Sequence, residues 1–583
     1  MTMTTVQGSP QFPVIAGSVP SSSQAAMDAA VQALQTRKAA WVELSIPERI
    51  ALIDRLIADF TAIAPRWVAA SAVAKGIAPD SAAIGEEWGA GAWPVVKNLR
   101  QLRGTLATIE RSGYPPVPSR VTTRPDGQIM VQVFPQTYYD SIFFTGISAE
   151  IWMEPDVKPA ELAVTQALIY RDKQHPGVVS LVLGAGNVAS IAPLDVLHKL
   201  FVQDHVVLLK MNPVNAYLGP LIEESFRALV EAGFLRVVYG GAAEGAYLCD
   251  HAGVEEIHIT GSDKTFDAIV FGTGTEGAQR KAENSPMLTK PITGELGNVS
   301  PVIVVPGPWN ASDIAYQSAH IASMLTNNAG FNCNATRVVI QHKNWAQREQ
   351  LLQGIRDVLA QVPPRNAYYP GAFVRQQNFV GAHPEAEQIG TASAEQLPWT
   401  LIAGVDPAQQ DDICFTTEAF CGLFSETALD AASVADYIDQ AVAFANDRIW
   451  GTLNATIIVH PRSLVDPAIA DAVQRAIANL RYGSIGLNYW GGVSYTLGVT
   501  TWGAFPGHAI TDIQSGTGVV HNTLMFARPQ KSVLRAPFRS TPTPPWFVTR
   551  GHVARQVFPK LVQFEAAPAL WKIPGIVWAA LRG

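Results

Sequence analysis

Cys333 sits in Asn327-Asn-Ala-Gly-Phe-Asn-Cys-Asn334, between an apolar helical run and a strand-like run. Cysteine is among the most buried residue types, so any one cysteine is first a core filler. The neighbours of Cys333 are small and polar, which is unusual for a core, and a thiol there becomes a nucleophile if its pKa is lowered. Glu295 lies in Thr293-Gly-Glu-Leu-Gly-Asn298. A carboxylate between glycines at a strand–loop boundary is a solvated loop residue or a general base with access to water. Asn187 follows Gly184-Ala-Gly186. It is a turn residue, or an amide whose N–H stabilises a developing oxyanion. A nucleophile, a base and an oxyanion donor are the parts of carbonyl chemistry through a covalent intermediate.

The elements around these residues alternate strand and helix. Val178–Leu183, Val206–Lys210, Arg236–Tyr239 and Glu256–Thr260 read as strands, with helices over Pro193–Phe201 and Leu221–Ala232. Such alternation predicts a parallel sheet covered on both faces, with ligand sites at the carboxyl ends of its strands. Gly184-Ala-Gly-Asn-Val-Ala189 joins a strand to a helix, as a dinucleotide fingerprint does. The acidic residue expected about 20 positions later is replaced by Lys210, which weakens the simple Rossmann reading and favours a plain tight strand–helix turn. A second α/β block starts near Thr293. Its strands are Val302–Val305, Val338–His342, Ala455–Val459 and Ser484–Leu487, and its helices Ile314–Leu325, Ala346–Val358 and Val434–Ala445.

Residues 1–20 are Ser/Pro/Gly-rich and expected to be loose. Ser21–Ala40 reads as a helix capped by serines, and Ser45-Ile-Pro-Glu48 has the spacing of a capping box. Ile50, Ile53, Ile57 and Phe60 then share a face. After Pro115, Pro116 and Pro118, the Asp126-Gly127 turn signal with strands Ile129–Phe134 and Ser141–Phe144 predicts an antiparallel excursion. The stretch from about 530 to 583 is Pro-rich, then apolar, with Trp546, Trp571 and Trp578. It reads as a strap on the domain or on a neighbouring subunit, or as an interfacial membrane segment.

The whole chain narrows the classes further. Of its 583 residues 48% are hydrophobic and 16% charged, against about 25% charged in ordinary soluble proteins. Disorder is excluded, and hidden surface in a large core, an oligomer interface or a membrane contact is implied. The net charge is −7 and no Lys/Arg run appears, so no nucleic-acid footprint is present. Four cysteines without a CxxC pair argue against a disulfide framework and a structural zinc site. No positive charge precedes Arg37, and no apolar stretch reaches the 18 residues of a spanning helix. The closest, Ala566–Leu581, is broken by Pro568, Lys572, Pro574 and Gly575. A cytoplasmic protein is expected.

In order along the chain stand Gly186-Asn187, Lys210, Thr260-Gly-Ser262, Glu295-Leu-Gly297 and Asn328-Ala-Gly-x-x-Cys333, then Glu418-x-Phe420 and Ala445-Asn446…Trp450-Gly451. This series resembles the aldehyde dehydrogenase superfamily over residues 25–520. The resemblance implies a Rossmann-like cofactor domain, an α/β catalytic domain and a small β oligomerisation element. The corresponding boundaries are an N-terminal helical layer at 1–113, a β excursion at 114–155 and a dinucleotide-binding domain at 156–293. A catalytic domain at 294–488, a return to the oligomerisation element at 489–530 and an extension at 531–583 complete the chain.

The same resemblance implies Cys333 as nucleophile, Asn187 as oxyanion donor with the Cys333 backbone N–H, and Glu295 as the base that activates water. For a NAD or NADP cofactor it implies Lys210 at the adenosine ribose, Gly261 and Ser262 at the pyrophosphate and Leu296 by the nicotinamide. Glu418 and Phe420 would position the nicotinamide ribose and ring. The implied activity is oxidation of an aldehyde, hydrophobic in view of Tyr489, Trp490, Tyr495, Trp502 and Phe505, by a homodimer or homotetramer. Those aromatics could equally be interface core. The sequence departs from the family in having Ala185-Gly186 for Pro-Trp, Asn298 for a second glycine, Phe331-Asn332 before the cysteine, and Pro213 where many NAD-preferring members have an acid. Gly-Asn without Pro-Trp also resembles the fatty acyl-CoA reductase branch, so a CoA-acylating enzyme and a non-catalytic member stand as alternatives.

Overall fold

The computed structural model describes residues 19–116, 120–171 and 175–582. The N-terminal stretch expected to be loose (up to residue 18) and Pro118 lie outside them. Two sheets organise the chain. The six-stranded sheet runs in the order Gly516–Thr517, Ile292–Glu295, Glu256–Thr260, Val179–Leu183, Val206–Lys210, Leu235–Val238. All its pairs are parallel except the first. Val179–Leu183 is where the order reverses, and its carboxyl end leads into Gly184-Ala-Gly-Asn187. Ligands of open α/β sheets bind at such a switch point. Val206–Lys210 and Glu256–Thr260 are buried throughout, as strands covered on both faces must be.

The second sheet has eleven strands. Its middle is parallel and carries Ser484–Leu487, Asn454–Ile458, Ser300–Val304, Thr336–His342, Leu423–Leu429 and Trp399–Val405 in that order. Its far end is the excursion: Val121–Thr123, Ile129–Phe134 and Ser148–Met153 pair antiparallel, and Pro529–Arg535 joins them to the parallel part.

The excursion differs from expectation at Ser141–Phe144, which is not a strand. Tyr138–Phe143 is a helix. Thr137 Oγ1 accepts the Asp140 N–H at 3.1 Å, and the Asp140 carboxylate accepts the Thr137 N–H at 2.9 Å. This capping box outweighs the strand preference of the aromatic residues. The expected helix Leu221–Ala232 is broken at buried Phe226 (φ −103°, ψ 21°) into Gly219–Ser225 and Arg227–Ala232.

The N-terminal helices Gln24–Glu43 and Ile46–Ala74 form as their serine caps predict; Ser45 and Glu48 complete the box. Ile46–Ala74 is long and apolar enough to cross a membrane by length and composition, contrary to the expectation that nothing reached that threshold. Its charges interrupt the apolar run without lowering the average below it. Half of its most apolar window is buried. Leu56, Phe60 and Trp67 are in the core, and buried Arg49 pairs with Asp204 at 2.5 Å, as in a core helix.

The chain after Pro529–Arg535 is the strap. Gly551–Ala566 lies across the helix Trp93–Ser112 and the short helix Ile84–Glu86, and Ile573–Leu581 folds back on it. The close approach needs glycine. A Cβ on Gly85 would come within 2.5 Å of the Ala554 methyl, and one on Gly89 within 2.7 Å of the Phe558 ring. Glu565 anchors the strap in an ion cluster with fully buried Lys97 at 3.3 Å and with Arg100; Asp140 stands 3.6 Å from Lys97. Removing one partner of a buried pair leaves the other charge uncompensated. Glu565→Ala is expected to lower unfolding free energy by about 3 kcal/mol, measured by urea denaturation. A loss within error would show that the strap is not anchored there.

Candidate active site

Asn187, Glu295 and Cys333 line one cavity of about 740 Å³. Three elements bring them together. Asn187 leaves the switch-point strand, Glu295 ends Ile292–Glu295, and Cys333 follows the helix Ala311–Thr326. Between that helix and Cys333 the backbone takes three consecutive left-handed conformations, at Asn328 (φ 52°), Ala329 (φ 56°) and Gly330 (φ 79°). Such a run costs strain and must be held by its surroundings. A Cβ at Gly330 would strike the Cys421 carbonyl, so only glycine fits. Buried Arg337 holds the turn, donating to the carbonyls of Gly330 (2.6 Å), Asn332 (3.3 Å), Cys421 (2.5 Å) and Leu423 (3.1 Å).

The Asn187 amide donates to the Phe331 carbonyl at 2.9 Å, and its own carbonyl accepts from Tyr368 Oη at 2.9 Å and Asn328 Nδ2 at 3.0 Å. The side chain is thereby fixed beside the cysteine loop, with its second amide hydrogen uncommitted. Glu295 is buried rather than solvated, and its Oε1 has no partner among the described residues. Burial first, and then the charge of Asp195, push its carboxyl well above the ordinary range, against a hydrogen bond from Trp502. Asp195 itself is pushed up to about 7 by burial, with Thr260 Oγ1 donating to it at 3.0 Å. The Cys333 thiol is also held well above its usual value, by burial and then by Glu418 and Glu295. The lowered pKa that a nucleophile would need is therefore absent in the resting site.

The six residues expected at a cofactor lie off the cavity wall. Lys210 ends its strand at the carboxyl edge of the six-stranded sheet; its ammonium is buried and makes no hydrogen bond or ion pair among the described residues. The Gly261 N–H donates to the Glu295 carbonyl at 3.0 Å, and Ser262 caps the nine-residue helix Asp263–Phe271. Leu296 packs in a small cluster with Ile259 and Phe266. Glu418 accepts the Asn298 N–H at 3.2 Å and is pushed up to about 7 by burial, against Arg337. Phe420 (φ 41°) meets Tyr369 edge to face, its centroid 4.9 Å away, under the Arg375 guanidinium. An unpartnered buried ammonium and a helix N-terminus at the switch edge fit a dinucleotide.

Sequence reasoning missed Asp195 and Arg337, and it read the strap without placing it at this cavity. Asp195 stands in the apolar helix Ile191–Phe201 eight positions after Asn187, and its pairing with Glu295 exists only across the fold. Tyr489, Trp490, Tyr495 and Trp502 line the cavity, as a hydrophobic substrate would require; Phe505 does not.

Residues 170–396 match the aldehyde dehydrogenase family model. Human 4-trimethylaminobutyraldehyde dehydrogenase is 37% identical over 132 residues, 22% of this chain and 23% of that protein. The coniferyl aldehyde dehydrogenase of Pseudomonas sp. is 24% identical over 309 residues, 50% of this chain and 59% of that protein. The chain thus matches only about a quarter to three fifths of these relatives' lengths. Among solved structures, gamma-glutamyl-gamma-aminobutyraldehyde dehydrogenase from Burkholderia cenocepacia superposes at TM-score 0.60 and 18% identity, covering 91% of this chain and 92% of that one. A Pseudomonas syringae aldehyde dehydrogenase C variant complexed with NAD+ and octanal gives 0.58 and 18%, covering 89% and 90%. The architecture is the aldehyde dehydrogenase fold, a Rossmann-like lobe beside an α/β catalytic lobe. The chain thus has the aldehyde dehydrogenase fold, and its residues 170–396 match that family's model.

The raised carboxyl of Asp195 has a consequence for stability. Its folded pKa is about 7, whereas the unfolded value is about 3.9. Between the two the unfolded chain binds fewer protons, so stability falls as pH rises through this window and levels off above it. Asp195→Asn keeps an acceptor for Thr260 without the charge. It is expected to raise the melting temperature relative to the native protein at pH 8 and much less at pH 4.5, read by scanning calorimetry. An equal shift at both values would remove the titration from the account.

Proposed function

We propose that the protein oxidises a hydrophobic aldehyde to its carboxylic acid with NAD or NADP as cofactor. The supporting observation is the Glu295 carboxyl, its Oε1 without a partner among the described residues, in the same cavity as the Cys333 thiol and the Asn187 amide. Lys210, Gly261 and Ser262 would hold the adenosine and pyrophosphate portion, and Leu296, Glu418 and Phe420 the nicotinamide end.

Cys333 Sγ bonds the carbonyl carbon as its proton passes to solvent. The carbonyl oxygen becomes an oxyanion beside the free Asn187 amide hydrogen and the Cys333 backbone N–H. One such donor typically contributes ~2.7–4 kcal/mol. The chemistry that a bound NAD or NADP supplies is acceptance of a hydride, which turns this thiohemiacetal into a thioester on Cys333. Glu295 takes a proton from water as the water oxygen bonds the acyl carbon. A carboxyl poised above its ordinary range suits that role near neutral pH. The carbon–sulfur bond breaks, the acid leaves and Sγ regains a proton.

Homodimer or homotetramer pairing through the excursion, whose edge strand Val121–Thr123 is exposed, belongs to the same reading, as does a cytoplasmic location. A peripheral lipid contact through the strap is supported by its outer face. Leu570, Trp571, Trp578 and Leu581 are exposed there, with Lys572 and Arg582 over the two indoles.

Cys333→Ala is expected to abolish aldehyde oxidation while retaining dinucleotide binding. Glu295→Gln should give a burst of about one reduced nicotinamide per site, followed by a rate slowed at least a hundredfold. The assay is nicotinamide absorbance, with and without coenzyme A. Turnover that requires coenzyme A would replace the hydrolytic reading with acyl transfer.

A further inference from the structure

The strap does more than cover the core, because its inner face walls the cavity that contains Cys333. From the loop before Gly551–Ala566 come Pro542, Pro545 and Trp546; from the two helices come Phe558, Ile576 and Val577. Trp93, packed on Phe558, and Tyr489 and Trp490, packed on Trp546, continue the wall, with Phe144. Polar groups gather at the floor, where Asn187, Glu295, Asn332 and Cys333 lie.

Apart from Glu295 beside Cys333 and the imidazole of His552 on the strap, the charged side chains that reach the lining are committed elsewhere. Lys75 is held by Glu87 at 2.8 Å and Asn328 Oδ1 at 3.0 Å, and Arg365 by Glu86 at 2.6 Å. A substrate with its own phosphate or ammonium would meet no free counter-charge from these groups. The volume of 740 Å³ is large for a small aldehyde. At about 30 Å³ for a water-sized group, similar to a methylene, it has room for about two dozen such groups.

Resting on the aldehyde-oxidising reading, we infer that the cavity is a binding site for a long, uncharged aliphatic chain, with the aldehyde carbon at Cys333 and the alkyl tail against residues 541–581. Binding then draws on the transfer of methylenes from water to an apolar wall, about 0.8 kcal/mol each, or about fourfold per methylene. The strap is thus the element that sets chain length, and it carries none of the groups that react.

The test separates the chamber from the chemistry. Calorimetric titration of the Cys333→Ala protein with 1-hexanol and 1-dodecanol reads the chamber alone. In parallel, the unmodified enzyme is assayed with hexanal and dodecanal. Dodecanol is expected to bind at least a hundredfold tighter than hexanol, and dodecanal to show the higher kcat/KM. Val577→Trp, introduced in both proteins and filling the outer chamber, should erase that advantage by bringing dodecanol affinity and dodecanal kcat/KM down to the hexanol and hexanal values; Ala580→Trp is a second variant at the same wall. Equal binding of the two alcohols would overturn the proposal, and so would a Val577→Trp protein that weakens both alike. If dodecanol is still preferred but no aldehyde is oxidised, the aldehyde-oxidising reading fails and the chamber stands.

Discussion

Arg337 is the tie on which the site depends. Its guanidinium, buried and reaching four backbone carbonyls, joins the cysteine turn to the segment that carries Glu418 and Phe420. A charge in that position is tolerable because both terminal nitrogens donate to oriented carbonyl dipoles, although Nε has no partner among the described residues. The left-handed run at Asn328, Ala329 and Gly330 persists because Arg337 on one side, and the Asn187–Tyr368 network on the other, leave it no alternative. The thiol is therefore placed by neighbours distant in sequence rather than by the preferences of its own loop.

The site is also electrostatically tense. A half-buried thiol and two carboxyls, buried Glu295 and half-buried Glu418, are held near one another, and a further buried acid, Asp195, stands by Glu295. Like charges in such a space favour the protonated forms. The resting centre is thus nearly neutral, and negative charge develops there only when donors such as the Asn187 amide are aimed at it.

Much of this was legible in the sequence. The strands between 178 and 260 were read to within one residue because parallel strands buried on both faces are continuous apolar stretches. The reactive trio stood out because its residue types are unusual for their neighbourhoods and occur in a fixed order. Burial of Glu295 was not legible, since two flanking glycines look like a solvated loop until Gly516–Thr517 pairs with that strand. Tyr138–Phe143 was hidden for a local reason, aromatic residues masking a cap. The strap's composition marked it as apolar, but which face turns inward depends on Gly85 and Gly89, some 470 positions away.

That separation divides the polypeptide into parts that can change independently. The groups that react or position the reacting atoms fall between Asn187 and Phe420, and the strap's part of the chamber wall lies beyond residue 540. Substitutions that reshape the strap leave the thiol, the amide and the carboxyl where they are. A lineage carrying this fold can therefore explore new substrates by drift in its C-terminal helices, under far weaker constraint than any change around Arg337 would meet.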